Sequence, residues 1–263
     1  MKQRKNRINK IFRILVILLL SSSCLHSNEI LLDVVKRVTE TKNSGELPVV
    51  IFDLDGTLFD SGPRSKRIFL EFAETTGNSL LKLKVEMIDA HTMKYKVRES
   101  LIDAGIKDST LLKEMIDSWR KKFFNGEYLK YDKPAPGSVE FVNELSDSGA
   151  LIIYLTGRDA PGTLIGSVAA LQKNGFPIGV YGTELIMKPK RFMKTYTFKK
   201  KTLSYIKKLG TVVASFENEP ANINLLFEYF PENIPFFLDT SHKPNAPSVN
   251  KGIHHIKNYI RKR

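Results

Sequence analysis

The run Val49-Val50-Ile51-Phe52-Asp53-Leu54-Asp55-Gly56-Thr57-Leu58 constrains this chain more than any other stretch. Its four leading apolar residues, two Val and an Ile among them, read as a strand buried on both faces. The strand ends in two carboxylates and a Gly-Thr turn. Alternate residues of a strand share a face, so the pattern predicts that Asp53 and Asp55 point the same way. Two like charges that close need a cation, a shared proton or open water. A hard, oxygen-ligated ion such as Mg²⁺ meets that need with one or two carboxylates and leaves positions for water and phosphate oxygens. The plainer alternative is a strand ending in an Asx-turn. Against it stands the position: open α/β sheets bind ligands at the carboxyl ends of their buried strands.

Residues 1–23 are set apart from the fold. Lys2, Arg4, Lys5, Arg7, Lys10 and Arg13 form a positive start, and Ile14 to Leu20 is an unbroken apolar run of seven. A membrane span needs about 20 apolar residues, so this order fits a secretory signal instead. Ser21-Ser22-Ser23 then precedes Cys24, the only cysteine. The pattern resembles a bacterial lipoprotein signal, with its leucine at Leu20, one place early. The resemblance implies lipidation of Cys24, and so an exported chain held by an N-terminal lipid anchor on the periplasmic or surface side of a bacterial membrane. An acylated Cys24 leaves no thiol for a disulfide.

The whole chain carries a formal charge of +13. Removing six basic and no acidic residues with the signal lowers it to +7. That balance favours acidic ligands such as phosphate esters or anionic surfaces. No finger spacing, RNP-like string or repeated aromatic-basic pattern appears, so no nucleic-acid partner is expected.

Beyond the signal, residues 24–47 read as a tether with a short helix near 31–41. The α/β core is expected over 48–62 and 132–263. Residues 63–131 are almost free of strand-like runs, and Ile68, Phe69, Phe72 and Ala73 form a helical stripe. A block that long is no plain loop. It predicts a small all-helical domain inserted after the first strand. Further strands are expected at 150–155, at 178–181, 184–187, 211–216 and 234–238, alternating with helices. That alternation predicts a doubly wound parallel sheet with helices on both faces. Four polar clusters then fall at strand ends: Asp53/Asp55, Thr156/Arg158, Glu217/Asn218/Glu219 and Asp239/Thr240. Right-handed crossovers gather such ends on one edge. Carboxylates with a metal, a hydroxyl and a lysine on one edge suit phosphoryl transfer.

Asp53-Leu54-Asp55-Gly56-Thr57-Leu58 resembles the first motif of the haloacid dehalogenase (HAD) superfamily, and the likeness runs from Pro48 to the C-terminus. It implies a HAD-like core with a helical cap. It implies Asp53 as a nucleophile forming an aspartyl-phosphate, and Asp55 as general acid and then base. Mg²⁺ would sit among Asp53, Asp55 through its backbone carbonyl, Glu217 and Asn218. Thr156, with Gly157 and Arg158, matches the second motif and would meet substrate phosphate. Lys199, 18 residues before Glu217, matches the third, with Lys188 as its rival. The fourth motif departs from the pattern: Asn218 and Asn222 stand where aspartates are common, flanked by Glu217 and Glu219. An amide oxygen ligates Mg²⁺ without bringing charge.

The expectation is an exported Mg²⁺-dependent phosphatase of small phosphate monoesters. A non-catalytic binding lipoprotein that retains the fold is the alternative, and a dehalogenase a more distant one. Asp60 is read as a hinge cap, His242 as a bystander near the site, His254-His255 as part of a terminal helix, and Trp119 with Phe123 as interior packing of the insert.

Overall fold

The computed structural model describes residues 29–261. The signal and Cys24 lie outside the described residues. No helix among the described residues is long and apolar enough to cross a membrane.

The described residues open with helix α1, residues 29–43, and enter the sheet through β1 (Pro48–Phe52). The short β2 (Phe59–Asp60) leads into helices α2 (Gly62–Thr76), α3 (Ser79–Glu86), α4 (Val97–Asp103) and α5 (Ser109–Phe123). The equally short β3 (Lys133–Pro134) returns the chain, pairing antiparallel with β2. From there strands and helices alternate. They are α6 (Ser138–Asp147), β4 (Leu151–Asp159), α7 (Ala160–Lys173), β5 (Thr183–Lys188) and α8 (Thr195–Leu209). After them come β6 (Thr211–Glu217), α9 (Pro220–Tyr229), β7 (Ile234–Leu238) and β8 (His254–Ile256).

The main sheet has six strands in the order β5-β4-β1-β6-β7-β8, and every pairing is parallel. Side-chain alternation divides its core cleanly. Val50, Phe52, Ile152, Tyr154, Ala214, Phe216 and Phe236 pack on one face with α6 and α7. Val49, Ile51, Ile153, Leu155, Val212 and Phe237 pack on the other with α8 and α9. Strands apolar at every position are what a sheet covered on both sides requires. Since β1 lies in the middle, its carboxyl end opens between β4 and β6.

Helices α2 to α5 have an apolar cluster of their own, including Phe69, Leu81, Val85, Leu101, Leu112 and Met115. The β2–β3 ladder closes this helical insert at its base. At the neck, Asp60 Oδ1 accepts the Gly62 N–H at 2.8 Å and Oδ2 lies 2.6 Å from His91 Nδ1.

Three sequence expectations need correction. Residues 29–43 are no tether: Leu31, Val34 and Val38, at helical spacing, are buried in the same cluster as Phe52. Residues 178–181 form no strand, and a single strand, β5, occupies 183–188. His254-His255 belong to edge strand β8 instead of a helix, with Ile256 buried beside Leu238. Within the insert, residues 93–96 run as loop between a 3₁₀ turn at Ala90–Thr92 and α4.

Candidate active site

The strand β1 stops at Phe52, and the next residue, Asp53, is nearly buried. Its backbone N–H is anchored on Phe216 O of β6 at 3.0 Å. Its carboxylate accepts Lys199 Nζ at 2.6 Å, and the same ammonium donates to Glu217 Oε2 at 2.5 Å. Lys199 arrives from α8 and Glu217 from the end of β6, so three elements converge on one buried ammonium. Two carboxylates share one cation here. Burial and the Glu217 charge push the Asp53 carboxyl up to about 7, against the pull of Lys199. Burial opposes the charge on Lys199, but Asp53 and Glu217 together hold its ammonium well above the usual range. The structure brings Lys199 to Asp53 and keeps Lys188 away. Lys188 Nζ donates to the carbonyls of Arg191 and Met193, each at 3.1 Å, and burial lowers its pKa.

Asp55 has other partners than Asp53. The strand has ended, and residues 54–59 form a tight turn in which Leu54 O accepts the N–H groups of Leu58 and Phe59 at 3.0 and 2.8 Å. Gly56 permits it, with φ at +80°. A Cβ there would fall 2.1 Å from Asn218 Nδ2. Period-two alternation stops with the strand, so the turn aims the Asp55 side chain, and its charge still reaches Asp53 and helps raise the pKa there. The Asp55 carboxylate is gripped by Arg158, through Nε at 2.9 Å and Nη2 at 2.8 Å, and by Arg64 Nη2. Burial works to raise its pKa, but the Arg158 and Arg64 guanidinium groups hold it well below the usual carboxylate range. In this state Asp55 is an anion with both oxygens occupied.

A second aspartate, unmarked by any motif, completes that cluster. Asp132, fully buried just before β3, accepts Arg64 Nε at 2.7 Å and Arg158 Nη2 at 2.8 Å. Arg64 lies in the first turn of α2, its guanidinium carbon 4.1 Å from the Phe123 ring centre. Two arginines and two aspartates thus bridge insert and core. Neither Arg64 nor Asp132 had a readable sequence signal. An arginine in the first turn of an inserted helix looks solvated until the fold brings it back to the strand end.

Thr156 is buried inside β4, and its Oγ1 accepts the Arg158 N–H at 3.2 Å. Gly157 passes close to α8, where an added Cβ would lie 2.9 Å from the Thr195 side chain. At the end of β6, Glu217 Oε1 accepts the N–H groups of Asn218 and Glu219 at 3.1 and 3.0 Å. With Lys199 on the other oxygen, Glu217 is fully engaged. Glu219 caps nothing with its side chain but accepts the Lys243 N–H at 3.2 Å, and burial and Glu217 raise its pKa. Asn222 is buried on α9.

A metal has a partial donor set here. Among the described residues no three acidic, His or Cys side chains converge on one point. Yet Asn218 donates Nδ2 to Ser241 O at 2.9 Å, which turns its Oδ1 towards the Thr57 hydroxyl, 3.5 Å away. Asp53 and Asn218 offer oxygen donors only, and the under-compensated charge on Asp53 calls for another cation. Mg²⁺, which keeps several waters and takes few protein ligands, fits that set. Neither the Glu217 carboxylate, with both oxygens engaged, nor that of Asp55, held by Arg158 and Arg64, belongs to it as placed.

Beside these groups opens a cleft of about 520 Å³, lined by His91, Tyr95, Lys96, Asp239 and His242 among others. Its floor is tied to the site, since Thr240 Oγ1 donates to Gly56 O at 2.6 Å and Ser241 O receives Asn218.

Comparison with known proteins agrees with this architecture. No curated protein matches the chain. A putative phosphatase from Clostridium difficile is similar in structure, with a TM-score of 0.52 at 14% identity over 81% of this chain and 94% of that one. The Mycobacterium tuberculosis protein tyrosine kinase A is similar at a TM-score of 0.50 and 15% identity, over 80% and 93%. At such identities the likeness concerns the fold. The family model of the haloacid dehalogenase-like hydrolases matches residues 47–200, more than half of the chain and from β1 to the helix that carries Lys199. The chain belongs to the haloacid dehalogenase-like hydrolases.

Proposed function

We propose that this hydrolase is a Mg²⁺-dependent phosphatase that cleaves phosphate monoesters through Asp53. The carrying observation is the buried Asp53–Lys199–Glu217 arrangement, 2.6 and 2.5 Å across its two contacts. It presents one carboxylate at the strand end with a fixed ammonium beside it. In the proposed reaction an Asp53 oxygen attacks phosphorus and the ester oxygen leaves, giving an aspartyl-phosphate. Water then attacks the phosphorus and restores the Asp53 carboxylate. Lys199, the Thr156 hydroxyl and the Gly157 backbone hold the equatorial oxygens. Bound at Asp53, Asn218 and the Asp55 carbonyl, Mg²⁺ would offset the repulsion between carboxylate and phosphate.

Asp55 has the ionisation needed by a base in the second half-reaction. To donate a proton in the first it must loosen its guanidinium contacts. Arg64 belongs to the insert and Arg158 to the core, so a shift of the insert about the β2–β3 neck changes that grip. The leaving group occupies the cleft over Ser241, where 520 Å³ lies within the ~300–1,000 Å³ usual for small-molecule sites.

Two observations favour a second reading, a binding protein without turnover: the amide at Asn218 and the double arginine grip on Asp55. A dehalogenase is set behind both, because expelling halide needs no proton donor where Asp55 stands. Phosphate release from p-nitrophenyl phosphate and an ester panel, with and without Mg²⁺, decides among them. Export and anchoring through Cys24 are part of the proposal. Mass spectrometry of the mature N-terminal peptide tests them, an unacylated Cys24 being the contrary result.

A further inference from the structure

Residues 188–201 carry seven basic side chains and no acidic one. Lys199 serves the site, and buried Lys188 is spent on the loop itself. By donating to the carbonyls of Arg191 and Met193 it pins residues 189–194, and Lys190, Arg191, Phe192 and Lys194 all stand exposed. Phe192 is 93% exposed. It has company: Ile165 is 86% exposed, and Leu164 and Phe124 are close to half exposed. Arg191 links these parts, its guanidinium carbon 5.7 Å from the Phe124 ring centre and 5.9 Å from that of Phe192. Phe124 O lies 3.4 Å from a Cβ built on Gly162, two residues before Leu164, and Gly166 packs directly on the Gly126 backbone. The end of α5, the start of α7 and the β5–α8 loop therefore form one surface across the seam of insert and core.

We propose that this surface docks onto an anionic lipid bilayer. Lysine and arginine beside an anionic headgroup layer attract it, and an aromatic tip among them suits the headgroup depth. The aliphatic tips of Leu164 and Ile165 have no face on which a base stacks, which disfavours single-stranded nucleic acid. Lysine is depleted in protein–protein interfaces, which disfavours a protein partner. The loop leaves the carboxyl end of β5, the same edge of the parallel sheet as Asp53. Docking there turns the site towards the membrane, and it holds whether or not the phosphatase reading does.

Flotation of the full chain with phosphatidylcholine vesicles, and with vesicles also containing phosphatidylglycerol, tests the proposal. The apolar run and six basic residues near the N-terminus act alike in wild type and variants, so the change in preference on reversing the loop charges is the readout. Expected is a preference for anionic vesicles that fades with salt and falls at least about fivefold for each basic residue reversed in the Lys190→Glu, Arg191→Glu, Lys194→Glu variant. A Phe192→Trp variant should show a blue-shifted emission on anionic vesicles only. All four positions are surface side chains, and an unchanged melting temperature shows the variants folded. Equal binding to both vesicles, a reversal variant whose preference is undiminished, or stronger salt-sensitive binding to a single-stranded oligonucleotide would overturn it.

Discussion

Arg158 grips Asp55 with two hydrogen bonds, Nε to Oδ2 at 2.9 Å and Nη2 to Oδ1 at 2.8 Å. A fork of this kind is the strongest way to hold a carboxylate as an anion. It links the two motif segments that the first and second buried strands bring together.

The grip has a consequence in acid. The folded-state pKa of Asp55 is lowered by Arg158 and Arg64, so its stabilising contribution is present above its unfolded value of 3.8 and is lost as pH falls below it. Urea unfolding of the wild type should lose stability steadily below about pH 4. Asp55→Asn should remove part of that slope. An identical slope in the variant would contradict the ion pairing described.

Breaking the cluster from its hidden side costs more. Asp132→Ala leaves two buried guanidinium groups with one carboxylate, and losing a partner from a buried ion pair costs about 3–5 kcal/mol. The melting temperature should drop by well over what a surface substitution causes. A neutral result would mean that the arginines find other partners.

The two candidate lysines separate cleanly. Lys199→Met should abolish turnover, lowering kcat by at least about a thousandfold as for removal of other unitary groups. Lys188→Met should leave kcat within about tenfold, a small loss beside the thousandfold for Lys199, because its ammonium serves only loop carbonyls. The reverse order of effects would reassign the motif lysine.

Metal binding should depend on pH. The Asp53 carboxyl, pushed up to about 7 by burial and by Glu217, must lose its proton before it can ligate. Mg²⁺ affinity measured by calorimetry should therefore weaken as pH falls through about 7, with proton release on binding. Asn218→Asp, which adds a charge to the donor set, should tighten it. Gly56→Ala, strained at positive φ and crowding Asn218, should cost about 1–3 kcal/mol and weaken it. Affinity indifferent to pH and to both substitutions would place the ion elsewhere.

The core was legible because each central strand is an apolar run closed by polar residues, and a strand end is where a parallel sheet assembles its site. Asp53, Thr156 and Glu217 could be placed on that edge from the strand pattern, whereas Lys199, with Lys188 as its rival, came only from the family resemblance. What escaped has physical reasons. Leu31, Val34 and Val38 form a stripe too short and too diluted by charges to distinguish a core helix from a tether. The three-residue β8 carries no periodicity of its own and exists because β7 offers it an edge. The partners of Asp55 depend on the turn that follows β1 and on two arginines far away in sequence, Arg64 and Arg158. Arg64 and Asp132 are 68 residues apart, and only the closure of the insert makes them partners.

The central claim is that Asp53 attacks phosphorus. Its most direct measurement is acid quenching of the protein during turnover of a phosphate ester with Mg²⁺, followed by mass spectrometry of the peptide spanning Val49–Leu58. The account predicts phosphate on Asp53, absent from Asp53→Asn, which should also fail to turn over. Hydrolysis that persists in Asp53→Asn, or turnover without any modified Asp53 peptide, would contradict it.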